Sequence, residues 1–358
     1  MAPYFLLFLL PVLMSLTTSS VTGLRQDRTR ILRFDMIWML VFLVLTMSIG
    51  LRIEVGGDWD SYLRYLYRAE TMSISELSLR DDPAYWLLNI LSNQFGLGVT
   101  GVNTAGAIIF STGLIVFCRS MPRPWLALAC AMPYLVTVVA MGYTRQGIAV
   151  GLLMIGFVAL GRQKLLWFIF YVLAGALFHK TAVVLLPLAA LVFSRNRVLS
   201  FILILMVFGA SYVLVLQASV EQMVDAYVDE NMVSSGAMIR LAMNAMPAVL
   251  FLYFRKRFII SDIDRKFFSL LSMVSLFMFA AFFVTNISTA LDRLALYMIP
   301  LQLVLFSHLP DALGRPSGRN VVIVLGIMSY YFAVLFVWLN FATHARFWLP
   351  YQMGWAGS

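Results

Sequence analysis

Apolar residues in this chain fall in long runs separated by short polar breaks. The runs lie at about 3–18, 34–51, 100–118, 124–142, 146–161, 164–178, 181–194, 198–217, 239–254, 267–286, 292–308 and 320–341. Such runs predict membrane-spanning helices, because a helix satisfies its own backbone polar groups in a solvent that offers no hydrogen bonds. Several are shorter than the roughly 20 residues a straight crossing needs, notably the three between 146 and 194. These serve as spans if the polar residues at their ends line a cavity. Two intervals break the pattern. Within 52–98, Tyr62, Tyr65, Arg64 and Arg68 recur at helical spacing and predict a polar helix over 60–70. Residues 83–95 are apolar apart from Asn89, Asn93 and Gln94, and too short to cross, so a re-entrant or interfacial helix is expected. The other interval, 218–237, carries Glu221, Asp225, Asp229 and Glu230 and predicts an amphipathic cap. The expectation is an all-α polytopic integral membrane protein. It comprises one transmembrane domain over 1–358, about a dozen spans and a re-entrant or interfacial helix. No internal repeat supports inverted-repeat transporter architecture.

Composition agrees: 61% of the 358 residues are hydrophobic and 12% charged, against roughly 25% charged in soluble domains. Met1–Thr18 lacks the basic start and the small-residue cleavage site of a signal peptide, so it is read as a first span. Cys118 and Cys130 flank one short loop at the cytoplasmic side and are read as buried thiols. Three histidines without clustered carboxylates or cysteines give no expectation of a metal site or other cofactor.

The net charge of +9 would suggest nucleic acid in a soluble protein, but its distribution says otherwise. With the basic loop Arg25–Arg33 placed inside and the runs alternated, 17 of the 26 lysines and arginines fall in inside loops. Twelve of the 17 acidic residues fall outside. This is the positive-inside pattern, and it puts both termini on the non-cytoplasmic side. The outside cations are Arg52, Arg64, Arg68, Arg80, Arg145, Lys180, Arg240, Arg293 and Arg346.

Four of these, Arg145, Lys180, Arg240 and Arg293, abut long apolar runs. A charge at such depth costs about 2.5–3.5 kcal/mol unless it faces a polar cavity. Each one alone could snorkel to headgroups. Together they have polar neighbours, Tyr143, Gln146, His179, Asn286 and Asp292, and predict a shared cationic cavity for a membrane-anchored anion such as a lipid pyrophosphate. A second constellation, Val55-Gly-Gly-Asp-Trp-Asp-Ser-Tyr62, follows the second span directly. Asp58 and Asp60 offer carboxylates, and Trp59 and Tyr62 offer faces for a sugar. The plainer alternative is an interfacial turn with helix-capping aspartates.

In order along the chain stand Arg52…Gly57-Asp58…Tyr62, Arg145-Gln146-x-Ile148-Ala149, Phe178-His179-x-Thr181-Ala182 and Asp292-Arg293…Tyr297. This series, covering about residues 34–305, resembles the EpsG family, which is similar to the Wzy-type bacterial polysaccharide polymerases. Lys180 after the histidine departs from the pattern, and the tail Arg346-Phe-Trp-Leu-Pro-Tyr351 matches it loosely. The resemblance implies a metal-independent glycosyltransferase, GT-C-like in arrangement, at the outer face of the bacterial inner membrane. It would join undecaprenyl-pyrophosphate-linked repeat units of a polymer such as an exopolysaccharide, capsule or O-antigen. Donor and acceptor are both lipid-linked oligosaccharides, surrounded by membrane lipid, with a flippase and a chain-length regulator as further partners and no nucleic acid. Arg145, Arg240, Arg293, Lys180 and Arg52 would bind pyrophosphate. Asp58 or His179 would be the base, and Trp59, Tyr62, Tyr297 and Gln146 would shape the sugar site. An O-antigen-ligase-type transferase, a flippase or transporter, and a membrane O-acyltransferase are the alternatives.

Overall fold

The computed structural model describes residues 1–19, 35–72, 82–193, 236–285 and 288–354. The basic loop Arg25–Arg33, the run at 198–217, the cap interval up to residue 235, Arg80 and Asn286 lie outside the described residues. The described chain is almost wholly helical. Its helices are α1 (Ala2–Thr17), α2 (Met36–Gly50), α3 (Trp59–Glu70), α4 (Pro83–Gln94), α5 (Gly98–Arg119), α6 (Pro124–Ala131), α7 (Thr144–Gly161), α8 (Leu165–Ala176) and α9 (Leu186–Phe193). They continue with α10 (Ala237–Phe254), α11 (Asp262–Phe282), α12 (Ser288–Ala295), α13 (Pro300–Leu313) and α14 (Val321–Phe341).

Among the described residues, α5, α7, α10, α11 and α14 are long and apolar enough to cross a membrane. A sixth crossing results if Ser288–Met298 and Pro300–Leu313, bent by 44°, form one span. The segments 2–17, 36–50, 124–140 and 165–176 are apolar but shorter. The dozen full-length spans are therefore not reached in the described chain. The run at 181–194 is split into a 3₁₀ turn, Lys180–Leu185, and the eight-residue α9. The outward faces remain apolar: Leu166, Val322, Tyr253 and Phe277 are exposed. An apolar belt of this kind is suited to lipid and unsuited to water.

Inside the bundle, small residues let the backbones approach. A Cβ at Gly113 of α5 would lie 2.0 Å from the carbonyl oxygen of Gly151 on α7, so this crossing exists only without side chains. The α6 run does not continue as an ordinary helix. From Met132 to Ala140 it widens into a π-helix with Pro133 in its first turn, a residue that cannot supply the usual helical N–H. Every residue of this segment is buried, so the run at 124–142 is the enclosed centre of the bundle.

Charged side chains lie at the ends of the helices. At one end Arg123 pairs with Asp311 at 2.8 Å, Arg265 with Asp262 at 2.7 Å, and Arg119 lies over the Trp38 ring. At the other end lie Arg52, Asp58, Arg145, His179, Arg240 and Arg293. The chain's first and last described segments meet there too. The strand β1 (Arg52–Ile53) pairs antiparallel with β2 (Gln352–Met353), Arg52 opposite Met353. The Trp348 indole donates to the Thr137 carbonyl in the π-helix at 2.6 Å, and the Tyr4 hydroxyl donates to the Trp348 carbonyl at 2.7 Å.

Candidate active site

Two aspartates begin short helices at this end, and neither carboxylate caps its helix. Asp58 precedes α3 and Asp82 precedes α4. An aspartate before a helix normally accepts from the first-turn N–H groups. Here both side chains are left for other partners.

Asp82 has positive φ (53°) and is followed by Pro83, which starts α4 without needing a donor. Its Oδ1 accepts from the Lys180 backbone N–H at 2.9 Å, and its Oδ2 from Arg145 Nη1 at 3.1 Å. His179 Nδ1 lies 3.6 Å from the same Oδ2. The Ala84 N–H donates to the Leu177 carbonyl at 3.0 Å, which bolts the start of α4 to the end of α8. Asp82 thus gathers Arg145, His179 and Lys180, three residues the sequence singles out. It was not itself anticipated, because Asp-Pro before a helix reads as an ordinary cap.

Arg145 is further fixed by its guanidinium lying 4.8 Å from the centre of the Tyr65 ring of α3. Its neighbour Gln146 is buried and donates to the carbonyl of Arg293 at 2.5 Å. A buried chain holds the same segment from the other side. Tyr331 donates to Gln302, Gln302 to Asn244, and Asn244 to the Ala295 carbonyl, at 2.9, 2.8 and 2.8 Å. The Arg293 side chain is exposed at the end of this scaffold and makes no hydrogen bond or ion pair to a described residue.

The charges converge. Burial pushes the Asp58 carboxyl above its usual range, and the charges of Arg293, Arg145 and His179 pull it back. Burial likewise pushes the His179 imidazole below its usual range, against the opposite influence of Asp82 and with the help of Arg145 and Arg293. Asp58, Arg145, His179 and Arg293 therefore form one electrostatic cluster, drawn from the starts of α3 and α7, the end of α8, and α12.

Other expected site residues have different surroundings. Arg240 is bound on both sides of its fork by Asp292, so its charge is already neutralised. Arg52 is fully buried. It donates to the carbonyls of Ile49 and Val55 and to the side chains of Asn103 and Thr144, bracing the residue next to Arg145. Trp59 and Tyr62 are buried with Tyr85, Val99, Val102 and Ile148, and Tyr297 is buried and shares a hydrogen bond of 2.9 Å with Thr181. Their ring faces are covered by protein, so in this structure they act as packing beneath the cluster. Lys180 engages Asp82 through its backbone, and its ammonium has no hydrogen bond to a described residue. Gly56 adopts φ 110° against the π-helix exit, where a Cβ would meet the Met141 carbonyl oxygen at 2.6 Å. That close approach sets Asp58 over the start of α7.

The family model described as the EpsG family matches residues 35–353, nearly the whole chain. No curated protein and no solved structure matches it.

Proposed function

The chain belongs to the EpsG family, a Wzy-type polymerase family, and from that premise we propose that it is a glycan polymerase acting on undecaprenyl-pyrophosphate-linked repeat units. The reaction would take place at the outer face of the bacterial inner membrane, a reading supported by the excess of Lys and Arg in the loops assigned to the inside. The observation that carries the reading is the Arg293 guanidinium, exposed and without an ion pair to a described residue, whose charge acts on Asp58 together with those of Arg145 and His179. A planar guanidinium binds a leaving pyrophosphate well through paired, charge-assisted hydrogen bonds. An acceptor sugar hydroxyl attacks the donor's anomeric carbon, the bond to pyrophosphate breaks, and the growing glycan passes to the newly flipped repeat unit. Arg293 and Lys180 meet the leaving group, with Arg145 beside them. The hydroxyl proton goes to Asp58 or His179.

The test is complementation of a deletion strain with Arg293→Ala, with lipid-linked products separated by length. Loss of long polymer with accumulation of single repeat units on lipid supports the polymerase. Polymer of normal length from a properly inserted variant sinks the assignment. Long polymer retained on the lipid carrier, with only its onward transfer blocked, would instead identify a ligase-type transferase.

A further inference from the structure

Both ring nitrogens of His179 are buried and have no hydrogen-bond partner among the described residues. Leaving such atoms unpaired costs about 1–3 kcal/mol. One of the two has an evident destination. Nδ1 faces Oδ2 of Asp82 at 3.6 Å, an oxygen that can only accept, and a modest closure would complete that bond. Asp82 is itself fixed. Its Oδ1 is held by the Lys180 N–H, so the carboxylate is tied to the residue next to the histidine. His179 has extended backbone geometry (φ −155°, ψ 104°) at the entry to the 3₁₀ turn, and that turn is held by the Thr181–Tyr297 hydrogen bond. The second nitrogen, Nε2, has no such partner.

We propose that Asp82 is a positioning residue that keeps the proton of His179 on Nδ1, leaving Nε2 to take the proton of the acceptor hydroxyl. This rests on the polymerase reading above. As the hydroxyl oxygen bonds to the anomeric carbon, its proton passes to Nε2. The electron pair of the broken carbon–oxygen bond leaves with the pyrophosphate, which Arg293 meets. Asp82 stabilises the imidazolium formed. The charged groups around His179 are Asp82 before α4, Arg145 on α7, Arg293 on α12 and Asp58 before α3. The two arginines oppose protonation of the resting imidazole, and Asp82 favours it once the proton arrives. Nε2 is covered in the structure without substrate, so the acceptor hydroxyl reaches it by displacing its cover, and until then water, the competing nucleophile, is kept away.

The chain has three histidines, His179, His308 and His344, so nitrogen NMR of histidine-labelled protein in detergent can read each ring, with His→Gln variants assigning the signals. The expected result is an Nδ1–H tautomer at His179 in the wild type and loss of that preference in Asp82→Asn. In purified protein, Asp82→Asn should lower kcat about 100-fold, the low end of general-base contributions, with KM for the lipid-linked unit changed far less. The acid limb of its pH–rate profile should move to lower pH, because the carboxylate that favoured protonation is gone. An Nε2–H tautomer in the wild type overturns the assignment even if Asp82→Asn does not fold. So does a folded Asp82→Asn enzyme with wild-type kcat and pH profile. Wild-type protein with the Nδ1–H tautomer but no polymerisation of lipid-linked units would overturn the polymerase reading and the base role with it. Polymerisation with the wrong tautomer would overturn the base role alone.

Discussion

Arg240 Nε and Nη2 each donate to a different oxygen of Asp292, at 2.5 and 2.6 Å, and the next residue in the chain is Arg293. Two adjacent positions on α12 thus have opposite assignments. Asp292 neutralises a cation, and Arg293 presents one.

That contrast separates stability from activity. Both partners of the Arg240–Asp292 pair are mostly buried, so Arg240→Ala leaves a carboxylate without its main partner. The expected loss is about 3 kcal/mol, the low end for breaking a buried pair. Thermal unfolding in detergent should show it, and Arg240→Ala with Asp292→Ala together should be less damaging than the two losses summed.

Arg293→Ala should behave in the opposite way. An exposed side chain without an ion pair contributes within about 0.5 kcal/mol to stability, so the unfolding temperature should not change measurably. Polymerisation should fall at least about 100-fold, as when a transition-state donor is removed. Arg293→Lys should recover only part of it, because an ammonium lacks the planar fork.

Asp58→Asn tests the buried carboxyl. Its folded pKa lies above the unfolded value of about 3.8, so the folded state binds more protons between the two. Asp58 therefore costs stability at neutral pH, and that cost vanishes as pH falls below the unfolded value. Asp58→Asn should unfold at a temperature equal to or above wild type at pH 7, with the difference disappearing below about pH 4. If the carboxylate serves the reaction, the same variant loses long polymer. A variant less stable than wild type at pH 7 would show that the three cations outweigh burial.

Arg52→Lys should fail where a conservative exchange usually succeeds. The guanidinium reaches four acceptors on three segments, and one ammonium has only three hydrogens on a shorter, differently shaped head. The expected outcome is a loss of about 2 kcal/mol, from one or two buried acceptors left unpaired. Activity should also fall, because Arg52 no longer holds Thr144, the residue before Arg145. Calorimetry and product length on the same preparation check both.

Much of this was written locally in the sequence. Apolar runs marked the described helices, since a helix in lipid needs little beyond apolar length. The sorting of cations put Arg145, Lys180, Arg240 and Arg293 on one side; in the structure the charges of Arg145, His179 and Arg293 act on Asp58, while Arg240 is taken up by Asp292. The remainder depends on contacts between distant positions. Nothing near Asp82 distinguishes a cap from a carboxylate reaching Arg145, 63 residues on. Trp59, Tyr62 and Tyr297 look alike in sequence whether their rings face a cavity or the core, and here they face the core. The π-helix after Pro133 leaves the hydrophobic pattern unchanged, because a segment buried all round has no polar face to shift.

The pairing of Arg52–Ile53 with Gln352–Met353, and of Trp348 with Tyr4 and Thr137, has a consequence for biosynthesis. Residues 348–353 follow every described span, so they leave the ribosome after all of those spans have been made. Until then α1, the exit of α2 and the π-helix lack the segment that ties them to one another. A message ending after residue 341 would still direct insertion of the spans, yet the end that carries Arg52 and Asp58 would be left unlatched. Assembly of this end of the bundle is in this way deferred until residues 348–353 have been made.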